Sequence, residues 1–450
     1  MQIEAHLEYD AVLAQPTQPV HLALRLEAPE LSSRRARPVA FSLVLDRSGS
    51  MIGDPLEHAK EAARMVVRHL RKDDLFALTV FDNEALTLLP LGPIHHREAV
   101  LELIDAIDTG GSTNLSGGWM LGRDALKTAP DGMPRRLLLF TDGQMNAGLT
   151  DPAQVHRIVG DGLESHAIRT SCLGFGDHYE EDLLTQLAAA TNGSFYDAAS
   201  PERLPAIFAA ELEGLQRLAV QNLRIRLRRL MLCEGVVLYT QSPCIAHDPE
   251  TVEITLGDLI SGEQRTVLFG LQLCALPPGP DGRPLVTLEE ESLVELLLTW
   301  EALTDDGVSS HTSSRTIRAR RVQDPADATL NAQMIPWIAT QHAAQAAGEA
   351  VEAVDRGEIE AARQGLRAAL RRLEDYPASA DTEDGQRLLR ETLERLEAEN
   401  GLSARSRKLT RATSRDYSEM SSGRYASTAE LNEDLPHYKR RPDNGRAAED

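Results

Sequence analysis

The sequence predicts an α/β domain with a doubly wound, mainly parallel sheet, inserted in an antiparallel β-sandwich and followed by a small helical region and a disordered tail. Three observations lead there. Between Pro38 and about Leu215, short apolar runs alternate with helix-length stretches, which is the rhythm of β-α units. From Val220 to Val322 the texture changes to strands separated by turn residues, as in a sandwich. After about Leu402 the composition turns to Ser, Thr, Arg, Asn, Asp and Pro, too polar to bury a core. The resulting divisions are 1–35 (strands joining the sandwich), 36–215 (α/β domain), 216–323 (sandwich), 324–402 (helical hairpin or small bundle) and 403–450 (tail).

Each element has its own signal. HLALRLEAP, His21 to Pro29, alternates as a strand does. PVAFSLVLD, 38–46, is a continuous apolar run, the mark of a strand buried on both faces. Asp54-Pro55 opens a helix to about Arg71, with Asp54 as its cap and proline at the first helical position. Asp74 to Asp82 and Ala85 to Pro90 read as a hairpin, 97–107 as a helix. GGSTNLSGG follows, then a helix to about Thr128. RRLLLFTDG is a second buried strand. Asp151-Pro152 caps another helix, AIRTSCLGFG is a strand and EEDLLTQLAAAT a helix. GSFYDA is a short strand, and Ser200-Pro201 starts the domain's last helix. LRIRLRRL, EGVVLYT, TVEITLGDL, QRTVLFGLQL, LVELLLTWEAL and SSRTIRARRV supply the sandwich strands. Ala326 to Glu399 is helical, broken at Asp355-Arg356-Gly357 and near ALRRLEDYPASADTEDG, which gives two or three packed helices.

Composition limits the function. With 450 residues, 42% of them hydrophobic, the chain can bury several cores. A formal net charge of -22 argues against general nucleic-acid affinity, which needs clustered Lys and Arg. MQIEAHLEYD has neither the basic nor the apolar region of a signal peptide, and no run has the length of a membrane span. Cys172, Cys233, Cys244 and Cys274 form no CxxC pair. They are read as free thiols in a reducing cytoplasm, with nothing to support a Cys233–Cys244 bridge.

The chemistry concentrates at strand ends. In open α/β sheets ligands bind outside the carboxyl ends of the strands. FSLVLDRSGSM ends such a strand in Asp46, and the spacing lets Asp46, Ser48 and Ser50 converge while Gly49 turns the loop. RRLLLFTDG places Asp142 after a second strand, and GGSTN places Thr113 in a glycine-rich loop that can fold over the same edge. Two carboxylates and three hydroxyls, with water completing an octahedron, suit Mg2+, with Mn2+ as the alternative.

DRSGSM, GGSTN and FTDG, in this order, resemble the von Willebrand factor type A (VWA) domain and its metal-ion-dependent adhesion site (MIDAS). The resemblance covers roughly residues 36–215 and keeps all five motif positions. It implies Ser48, Ser50 and Thr113 as hydroxyl ligands and Asp46 and Asp142 as the acids, with Ser112 the competing hydroxyl beside Thr113. The arrangement around the domain is further similar to bacterial cytosolic proteins labelled calcium-activated chloride channel homologues, and to the VWA region of inter-alpha-trypsin inhibitor heavy chains. A channel is not expected, because no segment can cross a bilayer. The resemblance implies a protein-binding adaptor or scaffold that docks a partner's Asp or Glu. It also implies partners such as an AAA+ ATPase or a kinase/phosphatase signalling system.

Two rivals stand beside this reading. One is a metal-dependent hydrolase or phosphatase on the same edge; no His or Lys sits in the three motifs to act as its base, so Asp46 would serve alone. The other is a structural self-assembling protein with a vestigial site. GxxxxGK[ST], GxSxG and HExxH are absent. His95-His96 is read as solvated, Asp177 as a helix cap beside His178, and Trp119 as core. Thr410, Thr413 and Ser414 lie among Arg407, Arg411 and Arg415, which would suit a phospho-regulated arm, with a passive solubilising tail as the plainer alternative.

Overall fold

In the computed structural model the described residues are 1–31, 37–142, 145–175, 179–198, 204–239, 242–280, 284, 286, 289–304, 307–374, 376–377, 379–419 and 421–422. The chain opens with β1 (Gln2–Leu7), β2 (Ala11–Leu13) and β3 (Val20–Glu27). The α/β domain follows: β4 (Ala40–Asp46), α1 (Asp54–His69), β5 (Leu75–Phe81), β6 (Ala85–Pro93), α2 (Arg97–Asp105), α3 (Leu115–Lys127), β7 (Arg135–Thr141), α4 (Pro152–His166), β8 (Ile168–Phe175), α5 (Glu181–Ala190), β9 (Phe195–Ala198) and α6 (Leu204–Gln216).

Its sheet has the order β6-β5-β4-β7-β8-β9. Only β6 is antiparallel to its neighbour. The period of two sorts the strand residues between the faces. Phe41, Leu43 and Leu45 of β4 pack with Val66 of α1, Ile104 of α2 and Phe208 of α6. Val44 of β4, with Leu137 and Leu139 of β7, packs with Trp119 of α3, Val159 of α4 and Leu187 of α5. β4 therefore leads to β5 on one side, while β7 lies on its other side. The loops leaving β4 and β7 diverge, which is the topological switch point where open sheets form a crevice. Gly53, not Asp54, holds the cap position of α1, and Asp54 lies in its first turn. Asp151 does cap α4, accepting from the Ala153 amide. α5 is preceded by Glu180 at its cap; Asp177, His178 and Ser200-Pro201 lie outside the described residues. Trp119 is core, and its indole N–H donates to Thr170 Oγ1 at 2.9 Å.

The sandwich adds β10 (Leu218–Arg229), β11 (Cys233–Leu238), β12 (Cys244–Ala246), β13 (Thr251–Ile260), β14 (Gln264–Leu273), β15 (Glu291–Thr304) and β16 (Gly307–Val322). One sheet runs β1-β3-β14-β11 and the other β12-β13-β10-β15-β16-β2. β3 pairs antiparallel with β14, and β2 pairs parallel with β16, so strands before the α/β domain complete the sheets formed after it. Leu22, Leu24 and Leu26 meet Ile225, Phe269 and Leu296 between the sheets. Arg169 of β8 pairs with Asp258 of β13, and Asn192 Nδ2 donates to the Thr255 carbonyl at 2.7 Å, tying the two domains. The four cysteines are free.

Four helices close the described chain: α7 (Met334–Asp355), α8 (Ile359–Glu374), α9 (Ala380–Ala398) and α10 (Ala404–Glu419), with a two-residue β17 (Ser421–Ser422) beside β14. The stretch expected to be disordered from 403 is therefore helical over Ala404–Glu419. The reason is local. Thr410 and Thr413 donate to the carbonyls of Ser406 and Leu409, four residues back, at 2.9 and 2.8 Å. Ser414 donates to the Ala344 carbonyl of α7 at 2.7 Å. Small hydroxyl residues satisfied in this way can be buried, and all three are. An arm open to kinases at Thr410, Thr413 and Ser414 is corrected on the same ground. Residues 423–450 lie outside the described residues.

Candidate metal centre

Asp46 ends β4 fully buried. Its Oδ1 accepts from the Ser48 amide at 2.8 Å and its Oδ2 from the Thr141 hydroxyl. Burial pushes its carboxyl up to about 6; hydrogen bonds from Ser48 and Thr141 oppose the shift, and the Asp142 charge adds to it. Arg47, the adjacent cation, is directed elsewhere: its Nη2 lies 2.8 Å from Asp82 Oδ2. The Ser48 and Ser50 hydroxyls are 3.2 Å apart, and Ser50 Oγ donates to Asp142 Oδ1 at 2.6 Å. Four of the five expected residues thus form one contact chain across the switch point.

The Thr113 loop is brought to the same edge by its backbone. The Gly49 amide donates to the Gly111 carbonyl at 2.7 Å, and the Gly110 amide to the Arg47 carbonyl at 2.6 Å. Thr113 is buried, and its amide donates to Asn146 Oδ1 at 2.6 Å. Ser112, the competing hydroxyl, is half-buried, with its amide on Asn83 Oδ1 at 2.7 Å. Thr141, Asn83, Asp82 and Asn146 were not singled out from sequence. Each lies next to or near a motif, but Asn and Asp in loops read as turn formers, and only the fold shows which backbone groups they hold.

Every donor here is oxygen. Among the described residues no group of three or more His, Cys, Asp or Glu side chains is placed to hold a metal ion; this edge brings only two carboxylates together and draws its other donors from hydroxyls. A buried carboxylate coupled to a second one, beside two hydroxyls in mutual contact, fits a small hard cation.

The family comparison decides the domain's identity. Residues 42–210 match the model of the von Willebrand factor type A domain. This segment is a VWA domain. Among relatives, the chain is 27% identical over 275 residues to the protein sll0103 of Synechocystis sp., covering 59% of this chain and 64% of that one. It is 25% identical over 271 residues to YfbK of Escherichia coli, covering 57% and 47%. It is 28% identical over 176 residues to inter-alpha-trypsin inhibitor heavy chain H1 of Bos taurus, covering 37% and 19%. The chain thus spans less than two thirds of the length of these relatives.

Two solved structures share the wider fold. The von Willebrand factor type A protein from Catenulispora acidiphila aligns with TM-score 0.68 at 18% identity, over 91% of this chain and 96% of that one. The ArnB paralog VWA2 from Sulfolobus acidocaldarius aligns with TM-score 0.57 at 15% identity, over 93% and 98%. At these identities the likeness concerns the fold alone. It extends beyond the VWA domain to the sandwich and helices. Among the described residues no helix is long and apolar enough to cross a membrane.

Proposed function

We propose that the VWA domain docks a partner protein through a divalent cation held at Asp46, Ser48, Ser50, Thr113 and Asp142, and that the chain is an adaptor rather than an enzyme. VWA domains typically mediate protein–protein interaction or adhesion. The observation that carries the reading here is the contact chain from Asp46 through Ser48 and Ser50 to Asp142. A bound Mg2+, with Mn2+ as a substitute, would supply a coordination position for a carboxylate.

The protein's own residues do the rest. Asp46 and Asp142 supply negative charge, and Ser48, Ser50 and Thr113 supply neutral oxygens. The two carboxylates balance the ion's charge, so an open coordination position, not net positive charge, is what would draw a partner's Asp or Glu. The chain's net charge of -22 acts at longer range and is screened beyond about 8 Å at physiological salt. The partner is read as a component of an AAA+ ATPase or kinase/phosphatase system in the cytoplasm. This part rests on the family resemblance and on the free cysteines.

Capture of partners by the wild-type chain and by Asp46→Ala, each with Mg2+ and with EDTA, tests the docking. Capture that ignores both the substitution and the chelator overturns it. Assays with Mg2+ against generic phosphate and ester substrates test the enzymatic rival. Turnover that requires metal and is lost in Asp46→Ala would replace the adaptor reading.

A further inference from the structure

β16 is the long open sheet edge among the described residues. It runs 16 residues and on its outer side pairs only with β2, over Arg320–Val322. The opposite edge of the same sheet is β12, with three residues. The α/β sheet ends in β9, with four residues, and in β6, which carries Pro90 and Pro93. β1 and β11 have six each. Short strands and proline are how proteins keep edges from pairing with other chains. β16 has neither device, and from Val308 to Ser314 it carries no Lys, Arg, Asp or Glu.

Two observations indicate what this edge fits. The first is charge. On a chain of net charge -22, Arg315, Arg318 and Arg320 of β16 are exposed. Among the described residues they form no ion pair, although Arg315 donates to the Ile3 carbonyl. Ile317 and Ala319 are buried, so the alternation turns Arg318 and Arg320 to the outer face. Arg224, Arg226 and Arg228 of β10 lie on the same sheet, with side chains 40, 46 and 62% exposed and partners in Glu253 and Glu295.

The second is a cleft of about 1260 Å³ beside Val308, Ser310, His311 and Thr312, between the sandwich and the end of the VWA sheet opposite Asp46. Trp300 lines it, stacked on His311 with ring centroids 5.4 Å apart and an interplanar angle of 12°. Trp300 is 9% exposed, and its indole N–H has no acceptor among the described residues. A buried donor left without a partner is costly, and an oxygen brought by a ligand would satisfy it.

We infer that the open edge of β16 takes an extended, acidic segment of a partner protein as an added strand. Main-chain hydrogen bonds along Val308–Ile317 supply affinity. Carboxylates at alternate positions of the segment face Arg318 on the outer surface, and one side chain or carbonyl of the segment seats at the Trp300–His311 pair. The surface is separate from the metal edge and needs no metal.

The test uses the full chain and a fluorescein-labelled dodecapeptide of alternating Glu and Thr ending in Tyr, with the Lys–Thr counterpart as control. Anisotropy and amide hydrogen exchange are read with Mg2+ and with EDTA. The expected result is saturable, salt-sensitive binding of the acidic peptide that is indifferent to EDTA and to Asp46→Ala. Arg318→Glu weakens it by about tenfold or more, and alternate amides of Val308–Ile317 become protected. No saturable binding at millimolar peptide, equal binding of the Lys–Thr peptide, or binding without new protection on β16 would overturn the inference. So would self-association that protects the same amides without peptide, which would assign the edge to a second copy of this chain.

Discussion

Ser50 donates its hydroxyl hydrogen to Asp142 across 2.6 Å, joining residues 92 positions apart in the chain. They leave the sheet on either side of its switch point, so this bond closes the crevice in which Asp46 is buried. A cation placed there would take up oxygens that now bond to one another. A site made this way exists only in the folded chain, because the loops after β4 and β7 meet nowhere else.

Added Mg2+ is therefore expected to stabilise the native state by mass action, by about 2.7 kcal/mol at a hundredfold excess over Kd. A thermal melt with and without Mg2+ measures this. Asp46→Ala should melt at the same temperature in both conditions. Zn2+ should give the smaller shift, because no donor is nitrogen or sulfur.

Thr113→Val is expected to remove metal and partner binding while lowering stability by only about 1 kcal/mol. Although Thr113 stands in a loop, its side chain is buried. Valine keeps its shape, and the amide bond to Asn146 Oδ1 is backbone and survives. Thr113→Ser, which keeps the oxygen, should retain binding. Calorimetry with Mg2+ separates the two variants.

Most of this architecture was legible in the sequence, and the misses have physical causes. PVAFSLVLD and RRLLLFTDG stand out because strands buried on both faces are apolar along their length, and each carries an acid at its carboxyl end, where open sheets bind ligands. The hydroxyls of DRSGSM were legible by their spacing. The roles of Asn83 and Asn146 were not, because their side chains accept from the Ser112 and Thr113 amides, a long-range pairing that spacing does not encode. Residues 404–419 were misread because Ser and Thr count as polar by composition, yet bury readily once their hydroxyls reach a carbonyl. β2 and β12, of three residues each, are too short to show a period.

Gly110→Ala is expected to cost about 1–3 kcal/mol by overpacking. A Cβ there would lie 1.9 Å from Asp82 Oδ2, the atom that pairs with Arg47. The Gly110 amide also bonds the Arg47 carbonyl, so the loop cannot back away without loosening the Thr113 segment. Denaturant unfolding should show the loss, and Mg2+ affinity should fall with it.

Stability is expected to fall as pH drops below about 6.5, because of His342 on α7. Burial, the Arg372 charge and the neighbouring His21 push its imidazole down to about 3. The His21 ring is 5.3 Å away and the Tyr239 ring 5.9 Å. Glu8 lies against His21 at 2.7 Å, and His342 Nδ1 has no partner among the described residues. With the folded value below the unfolded one, the unfolded chain binds more protons between about 6.5 and 3, so stability rises with pH across that window. The slope from this one group is at most about 1.4 kcal/mol per pH unit. Unfolding free energies measured from pH 7 to 4.5 should be flatter in His342→Leu than in the wild-type chain.

The last prediction concerns α10. Ser414→Asp is expected to destabilise the helical region by at least about 2 kcal/mol. Ser414 is 2% exposed, its hydroxyl donates to a carbonyl of α7, and a carboxylate there would meet an acceptor and lose its water. Arg411→Ala should act differently. Its guanidinium bridges Asp182 of α5 and Asp355 of α7 at the surface, and Lys408 lies 3.7 Å over the Tyr179 ring just before α5. Exposed pairs of this kind each contribute about 1 kcal/mol or less. Loss of Arg411 should thus leave global stability nearly unchanged while raising amide exchange along α10 and at the start of α5. A chain in which Ser414→Asp unfolds no more easily than wild type would mean that α10 is not packed on α7 in solution, and would return residues 404–419 to the disordered tail that their composition first suggested.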